Sequence, residues 1–500
     1  MRTEPTIAAA QHTVIARPSA PLWPSVTRIR TPARRTVLLP ALSTLLLGLW
    51  GIRRQGSLWQ DEAVTYDMAH RPLAVLWATL RHADAVHGLY YLLMSAVFRF
   101  WEGGLVALRL PSVLAMVCAT AGVAALGQRL AGPRAGLAAG MVFALLPAVQ
   151  RYAQEGRSYA LVTLLVVTAT RVLLRACAER RRGWWLGYAA LGGLAGLVHE
   201  FALLALVAHG VTLLAVRSPR ATVAAWAAAF CCAATVTAPV VALSLRQTPQ
   251  VAWIEVSTGG DVLGFILITG VGAGCAALRG RSPGPRAPGL DALAVPLLVV
   301  PPALLLLAST VKPLYVDRYV LYAQTGLALL AGAAFEALWR SRRARVSLVI
   351  VAVTGASIAL GPVGTRLRAP DSRTDDVLAV GRALRATAEP GDGVLFLPSS
   401  RRVWTFGPQR GAFGRPDLSL AVPPRVSGTL YGTELPPGSI RSHMVSVSRI
   451  VVVRERARER TETNVRERAK EAALREYFTR CHSVIVGPAG IEVYVRGGHC

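Results

Sequence analysis

The feature that most constrains this chain is its series of long apolar runs, many of them 16 to 25 residues long and without a charged side chain. Hydrophobic residues make up 53% of the 500 residues, which is too apolar for a wholly soluble protein. A helix of about 20 residues spans the roughly 30 Å hydrocarbon core of a bilayer. The sequence therefore predicts a polytopic α-helical membrane protein.

Basic loops between the apolar runs indicate how the chain crosses the membrane. Loops rich in arginine stay in the cytoplasm because their translocation is disfavoured. Eleven spans place every basic loop inside, with the amino terminus in the cytoplasm and the carboxyl terminus outside. The basic loops are residues 128–134, 179–182, 217–220, 279–286 and 340–345. The predicted spans are residues 36–52, 109–128, 134–150, 159–175, 184–198, 201–216, 221–245, 262–278, 290–308, 319–338 and 346–361.

One further apolar segment, residues 88–102, conflicts with this alternation. If it also spanned the membrane, every later basic loop would move to the outside. We therefore predict that it lies in the interface or re-enters from outside, and the alternative is a twelfth span with an irregular remainder. Just before it, Leu73, Leu76, Trp77 and Leu80 follow helical spacing and predict an amphipathic helix on the membrane surface.

The net charge of +27 would suit nucleic-acid binding in a soluble protein. Here many of the arginines lie in the short loops between apolar runs, where membrane topology requires them. We therefore exclude nucleic acid as a partner and expect membrane lipids instead.

The chain divides into three predicted parts. Residues 1–35 form a polar tail that is expected to be disordered and cytoplasmic, and residues 36–361 form the membrane domain, with a first outer loop at 53–108. Residues 362–500 are expected to form a small extracytoplasmic α/β domain, in which Cys481 and Cys500 could pair. Its predicted elements are helices at 375–388 and 464–478, strands at 393–398 and 448–453, and a hairpin of 484–486 with 491–495.

Two adjacent carboxylates, Asp61 and Glu62, follow the first apolar run and an indole, Trp59. Asp is a good helix N-cap and Glu suits a first helical turn, so the pair could simply cap the next helix. Their predicted position at the membrane surface favours a functional role, because other ionisable residues are predicted on the same side.

Those other residues are polar or aromatic side chains in the predicted outer loops or at the outer ends of spans. Ionisable groups at bilayer depth cost roughly 2.5–3.5 kcal/mol each, so their default interpretation is functional. The alternatives are that Arg109, Arg157 and Arg318 only reach toward lipid headgroups, and that His199 caps a helix. The set comprises His87, Tyr90, Arg109, Gln154, Glu155, Arg157, Tyr159, His199, Lys312, Asp317, Arg318 and Tyr319.

These residue types suit one reaction. A carboxylate can accept the proton of an acceptor hydroxyl as that hydroxyl attacks a sugar carbon. Arginine and lysine can stabilise the charge that develops on a departing lipid phosphate. We assign Asp61 as base or acceptor orienter with Glu62 and Glu155 supporting it, and we expect Arg109, Arg157, Lys312 and Arg318 to bind the phosphate.

At these residues the sequence resembles the GT-C superfamily, in particular the family 39 branch with protein O-mannosyltransferases and lipid A aminoarabinose transferases. The resemblance spans roughly residues 36 to 335, and the order of its short motifs is more specific than any one of them. The motifs are residues 57–63, 87–93, 107–112, 153–161 and 317–319.

The resemblance implies a polyprenyl-phosphate sugar donor and an inverting transfer at the outer face of the cell membrane. It maps the superfamily's acidic residues onto Asp61 and Glu155, and its arginine onto Arg109. The acceptor would be an envelope glycan, lipid or protein, and mannose is suggested only by the branch. Because members differ in metal use, Asp61, His87 and Glu155 form a candidate set of ligands for a divalent cation. Many relatives carry Pro-Pro or Lys-Pro where this chain has His87-Gly88.

Two other classes of function remain open at this point. A transporter or flippase of lipid-linked saccharides would place ionisable groups inside the helices along a path. A non-catalytic scaffold for envelope assembly would need none of these side chains.

Overall fold

A computed structural model describes residues 33–179, 181–247, 258–280, 288–408, 414–456, 464–498 and 500. Nearly all of the predicted tail, residues 1–35, and most of the basic loop 279–286 lie outside these ranges. The described chain comprises a helical membrane part and a C-terminal part with a mixed sheet. This confirms the predicted fold class.

The membrane part begins at α1 and ends at α16. Short 3-10 turns lie between some of these helices, and the longest in this part is Asp317–Ala323. The helices are α1 Arg34–Leu49, α2 Gln60–Ala69, α3 Leu73–Leu80, α4 Gly88–Phe100, α5 Gly104–Ala131, α6 Pro133–Leu145, α7 Pro147–Ala153, α8 Tyr159–Glu179, α9 Arg182–Val198, α10 Leu203–Ala215, α11 Arg220–Arg246, α12 Gly259–Gly280, α13 Pro288–Ser309, α14 Gln324–Trp339, α15 Arg342–Leu360 and α16 Pro362–Leu367.

Within the described ranges, eight helices are long and apolar enough to cross a membrane. The pair α6 and α7, bent by 63°, would make a ninth. The other two predicted spans, 184–198 and 201–216, form α9 and α10, which have 17 and 13 residues. All eleven predicted spans are thus helical, although two of them are short.

Loops from distant parts of the sequence meet at one end of the helix bundle, which we call the polar end. The N–H of Gly156 donates to Oε1 of Glu62 at 3.0 Å, so the loop after α7 contacts the first outer loop. The hydroxyl of Tyr322 donates to the carbonyl of Phe201 at 2.7 Å, which joins the turn before α14 to the turn before α10. Asp61 and Glu155 therefore lie on the same side of the bundle, as predicted.

Helix α4 does not have the length of a span. Its 13 residues reach about 20 Å, short of the roughly 30 Å hydrocarbon core. Tyr90, Tyr91, Met94 and Phe98 of this helix are buried in a core that also contains residues of the C-terminal part. These features support the prediction that residues 88–102 stay at the polar end.

The C-terminal part contains a four-stranded sheet flanked by helices and a separate antiparallel pair of short strands, Leu420–Val422 and Thr433–Glu434. The strand order of the four-stranded sheet is β1-β4-β6-β5, with β1 and β4 parallel and the other neighbours antiparallel. The predicted hairpin is present, but its strands are longer than predicted and its turn is tighter. Cys481 and Cys500 form a disulfide. The elements are α17 Val377–Thr387, β1 Gly393–Leu397, β2 Leu420–Val422, α18 Pro424–Ser427, β3 Thr433–Glu434, α19 Pro437–Val445, β4 Arg449–Glu455, α20 Val465–Tyr477, β5 Phe478–Val486 and β6 Ala489–Arg496.

Both faces of this sheet are covered, because alternate residues of a strand point to opposite faces. Leu395 and Val452 pack with helices α19 and α20. Phe396 and Val451 pack instead with Leu58, Tyr90 and other residues of the first outer loop. The C-terminal part therefore shares one hydrophobic core with the loop that carries Asp61.

Candidate active site

A cavity of about 560 Å³ lies at the polar end, between the membrane helices and the C-terminal part. Its volume is within the range of small-molecule sites. The first outer loop, the start of α8 and the turn before α14 form its lower wall, and two loops of the C-terminal part cover it. Among the predicted site residues, those that line it are Asp61, His87, Arg157, Tyr159, Arg318 and Tyr319.

Asp61 and Glu62 occupy the first turn of α2, but their side chains lie in different environments. Successive residues of an α-helix are rotated by about 100° around its axis. Asp61 consequently lines the cavity, whereas Glu62 points into the protein and is fully buried. The helix therefore presents only one of the two predicted carboxylates to a substrate.

Two arginines flank the Asp61 carboxylate. Nη2 of Arg318 is 3.6 Å from Oδ2 of Asp61, and Nη2 of Arg157 is 4.0 Å from the same oxygen. Arg318 also donates from Nε to the hydroxyl of Tyr159 at 3.1 Å and lies against the ring of Trp59. A carboxylate between two guanidinium groups in one cavity can orient a hydroxyl next to an anionic group.

Glu62 forms the centre of a buried ionic cluster. Arg109 contacts it through Nε at 2.7 Å and Nη2 at 2.7 Å, and Arg54 donates to the same carboxylate. Burial alone would raise the pKa of Glu62, but the charges of Arg109 and Arg54 outweigh it and lower the pKa to about 2. The structure thus differs from the prediction, since Glu62 and Arg109 bind each other and line no part of the cavity.

Arg54 is a member of this cluster that the sequence did not reveal. Arg54 and Gln55 both have positive φ values, 43° and 53°, which cost non-glycine residues on the order of 1 kcal/mol or more. This turn places the Arg54 guanidinium, fully buried, against Glu62. The only sequence signal was another arginine after the first span, where a lipid-facing role is equally expected.

Aromatic rings and His87 line the cavity around the arginines, and His199 packs behind them. The His199 ring centroid lies 5.5 Å from that of His87 and 4.7 Å from that of Tyr319. Nδ1 of His87 is 3.2 Å from the hydroxyl oxygen of Ser158. Burial, followed by the charges of Arg157, His199 and Arg318, lowers the pKa of His87 well below its usual value. His87 is therefore uncharged at neutral pH.

Asp84 is a second carboxylate in the cavity that the sequence did not single out. Its Oδ2 lies 3.8 Å from Nη1 of Arg157 and accepts a hydrogen bond from the hydroxyl of Tyr91. Asp84 has a φ of 59°, a left-handed conformation that Asp adopts more readily than most residues. It precedes the predicted motif 87–93 by three residues, so only its proximity to that motif could have indicated it.

Glu155 and Gln154 do not line the cavity but hold the loop next to it through buried hydrogen bonds. Arg373 donates from Nε to Oε1 of Glu155 at 2.7 Å, and both side chains are almost completely buried. Nε2 of Gln154 donates to the carbonyl of Trp50 at 2.6 Å. These contacts fix the loop after α7 to the end of α1 and to the segment that leads into the C-terminal part.

Three remaining predicted residues do not line the cavity. Asp317 accepts a hydrogen bond from the hydroxyl of Tyr152 at 2.9 Å. Lys312 lies near the carboxylate of Glu200, and Tyr90 is buried in the core shared with the C-terminal part. Of the four cations predicted to bind a phosphate, the structure therefore brings two, Arg157 and Arg318, to Asp61.

The candidate metal ligands Asp61, His87 and Glu155 are not brought together. Glu155 is paired with Arg373 away from the cavity. In the part of the chain that the structure describes, no group of three His, Cys, Asp or Glu side chains has the arrangement of a metal site. The residues present do not fit the predicted set of ligands.

Comparison with known proteins connects this geometry to a superfamily. Residues 86–242 match the family profile described as dolichyl-phosphate-mannose-protein mannosyltransferase. The crystal structure of ArnT from Cupriavidus metallidurans bound to undecaprenyl phosphate superposes with a TM-score of 0.59 at 14% identity, covering 93% of this chain and 99% of ArnT. No curated protein sequence matches the chain.

A second similar structure is the mycobacterial arabinofuranosyltransferase AftD. It superposes with a TM-score of 0.52 at 17% identity, and the match covers 94% of this chain but only 42% of AftD. The predicted resemblance to the GT-C superfamily is therefore confirmed: the chain has the fold of these membrane glycosyltransferases, and its residues 86–242 match one of their sequence profiles.

Proposed function

We propose that this chain is a glycosyltransferase that takes a sugar from a polyprenyl-phosphate donor and transfers it to an acceptor of the cell envelope. The observation that carries the proposal is the position of Asp61, whose carboxylate lies 3.6 Å from Arg318 and 4.0 Å from Arg157 in a cavity at the polar end. This arrangement supplies both a base and a site for an anionic leaving group.

In the proposed reaction, the Asp61 carboxylate accepts the proton of an acceptor hydroxyl. The acceptor oxygen forms a bond to the anomeric carbon of the sugar while the bond from that carbon to the lipid phosphate oxygen breaks. Attack from the side opposite the leaving group inverts the configuration of that carbon. Polyprenyl phosphate departs with the electron pair of the broken bond.

Arg157 and Arg318 are proposed to bind the phosphate of the donor. Charge grows on the phosphate oxygen as the bond breaks, and preorganised guanidinium groups stabilise that charge. Their preorganisation is supported by neighbouring contacts, since Arg157 donates to the hydroxyl of Tyr91 at 3.0 Å and Arg318 donates to Tyr159. The fold of the ArnT structure, which contains undecaprenyl phosphate, supports a donor of the same class.

Two finer assignments belong to the same proposal. The sugar is proposed to be a hexose, with mannose first among those to test because the matching profile bears that name. The polar end is proposed to face the outside of the cell, which leaves the basic loops and the amino terminus in the cytoplasm.

A flippase is the competing proposal, and the geometry favours it less. A transport path would place ionisable groups through the depth of the bundle. Asp61, Asp84, Arg157 and Arg318 instead converge on one cavity at one end of it. The acceptor hydroxyl and the donor phosphate can both reach that cavity without crossing the membrane.

The substitution Asp61→Asn tests the proposal. It removes the proton acceptor while leaving the shape of the site, so transfer from a polyprenyl-phosphate hexose should fall by at least about a hundredfold. Transfer is measured with purified protein and radiolabelled donor, using Asp371→Asn, an exposed carboxylate on the segment before α17, as the matched control. Full transfer by Asp61→Asn would refute the assignment.

A further inference from the structure

Two loops of the C-terminal part line the same cavity as Arg157 and Arg318, and we call them the roof loops. The first comprises residues 399–403, after strand β1, and the second comprises residues 429–432, before strand β3. Neither was predicted to take part in the site. Residues of both loops line the same cavity as Asp61, so they are candidates to contact an acceptor whose hydroxyl Asp61 deprotonates.

The second roof loop is held in place by a buried arginine of the first outer loop. Arg71 donates to the carbonyls of Thr429 at 2.8 Å and Leu430 at 3.3 Å. The Arg71 guanidinium is itself fixed by Asp67 at 2.8 Å and by the hydroxyl of Thr79 at 2.8 Å. The loop therefore has a defined position relative to α2, the helix that presents Asp61.

The first roof loop is fixed just as firmly from the other side. The N–H of Ser399 donates to Glu467 of α20 at 2.9 Å. Arg401 pairs with Glu455, stacks on Trp404 at 5.0 Å and reaches Oε1 of Gln60 at 3.4 Å. Because Glu455 neutralises Arg401, this loop offers the cavity a surface with little net charge.

Three hydroxyl groups on the roof loops are available to a ligand. The side chains of Ser399, Ser400 and Tyr431 line the cavity, and none of them hydrogen-bonds another residue within the described ranges. Burial, with further contributions from Asp84 and Asp61, raises the pKa of Tyr431 to about 12. The Tyr431 hydroxyl therefore stays protonated and can both donate and accept a hydrogen bond.

We propose that Ser399, Ser400 and Tyr431 form the acceptor subsite and that the acceptor is a neutral saccharide. The inference rests on the proposed glycosyl transfer and adds the class of acceptor to it. A sugar ring presents several hydroxyls and an apolar face, which match a group of hydroxyls beside a tyrosine ring. A peptide that binds by adding a strand to a sheet would need a strand edge, and neither roof loop is a β-strand.

Binding of simple sugars to the purified full-length protein tests this subsite without requiring turnover. Saturation-transfer NMR would be recorded in lipid nanodiscs that contain polyprenyl phosphate, with methyl glycosides of mannose, glucose, galactose and arabinose as probes. At least one glycoside should bind the wild type. Tyr431→Phe should weaken that binding roughly three- to tenfold, and Tyr431→Ala or the double change Ser399→Ala with Ser400→Ala should weaken it more than about tenfold.

Tyr477→Phe is the matched control, because the Tyr477 hydroxyl contacts Glu476 at the protein surface and lies outside the cavity. The proposal is overturned if no glycoside binds at 20 mM, about five times a weak millimolar Kd. It is equally overturned if a Ser/Thr-containing hexapeptide binds and the glycosides do not. A third contradicting result is that the roof-loop variants bind the glycosides as tightly as the wild type does.

Asp61→Asn separates this proposal from the proposed function. The variant should bind the glycoside while losing transfer. If it keeps transfer and the Tyr431 variants lose glycoside binding, the base assignment fails and the subsite stands. If it loses transfer and the Tyr431 variants bind normally, the base assignment stands and the subsite fails.

Discussion

At the scale of single residues, the neighbours Asp61 and Glu62 should respond differently to the same chemical change. Glu62→Gln would leave the buried guanidinium groups of Arg54 and Arg109 without their carboxylate, which typically costs 3–5 kcal/mol. We expect a large drop in the melting temperature of the purified protein. Asp61→Asn should lower the melting temperature much less, because the Asp61 side chain is partly exposed in a cavity and its ion pairs with Arg318 and Arg157 are long, 3.6 Å and 4.0 Å. Equal melting of Glu62→Gln and wild type would contradict the assigned role.

The same pair shows what the sequence could predict at this scale. Residue types and motif order placed Asp61, Arg157 and Arg318 in one predicted site, and the structure brings these three side chains to one cavity. They could not show which of two adjacent carboxylates faces the cavity, since that depends on the rotation of α2. Arg54 and Asp84 were not predicted. Each has a left-handed backbone conformation that the neighbouring sequence does not indicate.

At the scale of secondary-structure elements, the junction between α2 and α17 should respond to pH. Oδ1 of Asp375 accepts the N–H of Gln60 at 2.9 Å, and Oδ2 accepts Nε1–H of Trp404 at 3.1 Å. Burial raises the pKa of Asp375 from 3.8 to about 6, although these two hydrogen bonds oppose the shift. The folded protein therefore binds this proton more tightly than the unfolded chain does.

The raised pKa of Asp375 determines how stability changes with pH. The contribution of Asp375 to the free energy of unfolding is largest below about pH 4 and is lost as the pH rises through 6, a change of at most about 3 kcal/mol. Asp375→Asn has no such dependence, so the wild type should lose stability relative to it between pH 4 and 7. Melting temperatures across that range measure the effect, with Asp371→Asn as control. Parallel pH profiles for Asp375→Asn and wild type would contradict it.

The boundaries of most elements could also be predicted from the sequence. The predicted helix 464–478 corresponds to α20, and its N-cap Asn464 accepts the N–H of Arg466 at 2.9 Å. Strands β5 and β6 extend well beyond the predicted hairpin because β6 pairs on both sides, with β4 and with β5. The pairing of β6 with β4 joins segments that are distant in the chain, and local sequence patterns do not indicate it.

At the scale of the whole molecule, the orientation of the bundle can be tested directly. Gly132 lies between α5 and α6, and Gly183 lies at the start of α9, both at the end opposite the cavity. Reporter fusions at either position should give cytoplasmic signals, because the neighbouring loops are rich in arginine. An extracytoplasmic signal at either would reverse the topology and place Asp61 in the cytoplasm.

The docking of the C-terminal part could not be predicted from the sequence. The apolar residues of β1 and β4 predicted a buried sheet, but they did not reveal that Leu58 and Tyr90 of the first outer loop complete its core. The covering of the cavity by two loops depends on that docking. The sequence therefore predicted the fold class of both parts, but not how the C-terminal part docks on the first outer loop.

This shared core also constrains biogenesis. Gln60 and Glu155 emerge early from the ribosome, while their partners Asp375 and Arg373 follow hundreds of residues later. Until those late residues reach the same compartment, the helix that carries Asp61 lacks part of its support. A nascent or truncated chain that lacks residues 373–375 can thus insert its earlier helices and still leave the loop that carries Asp61 without these contacts.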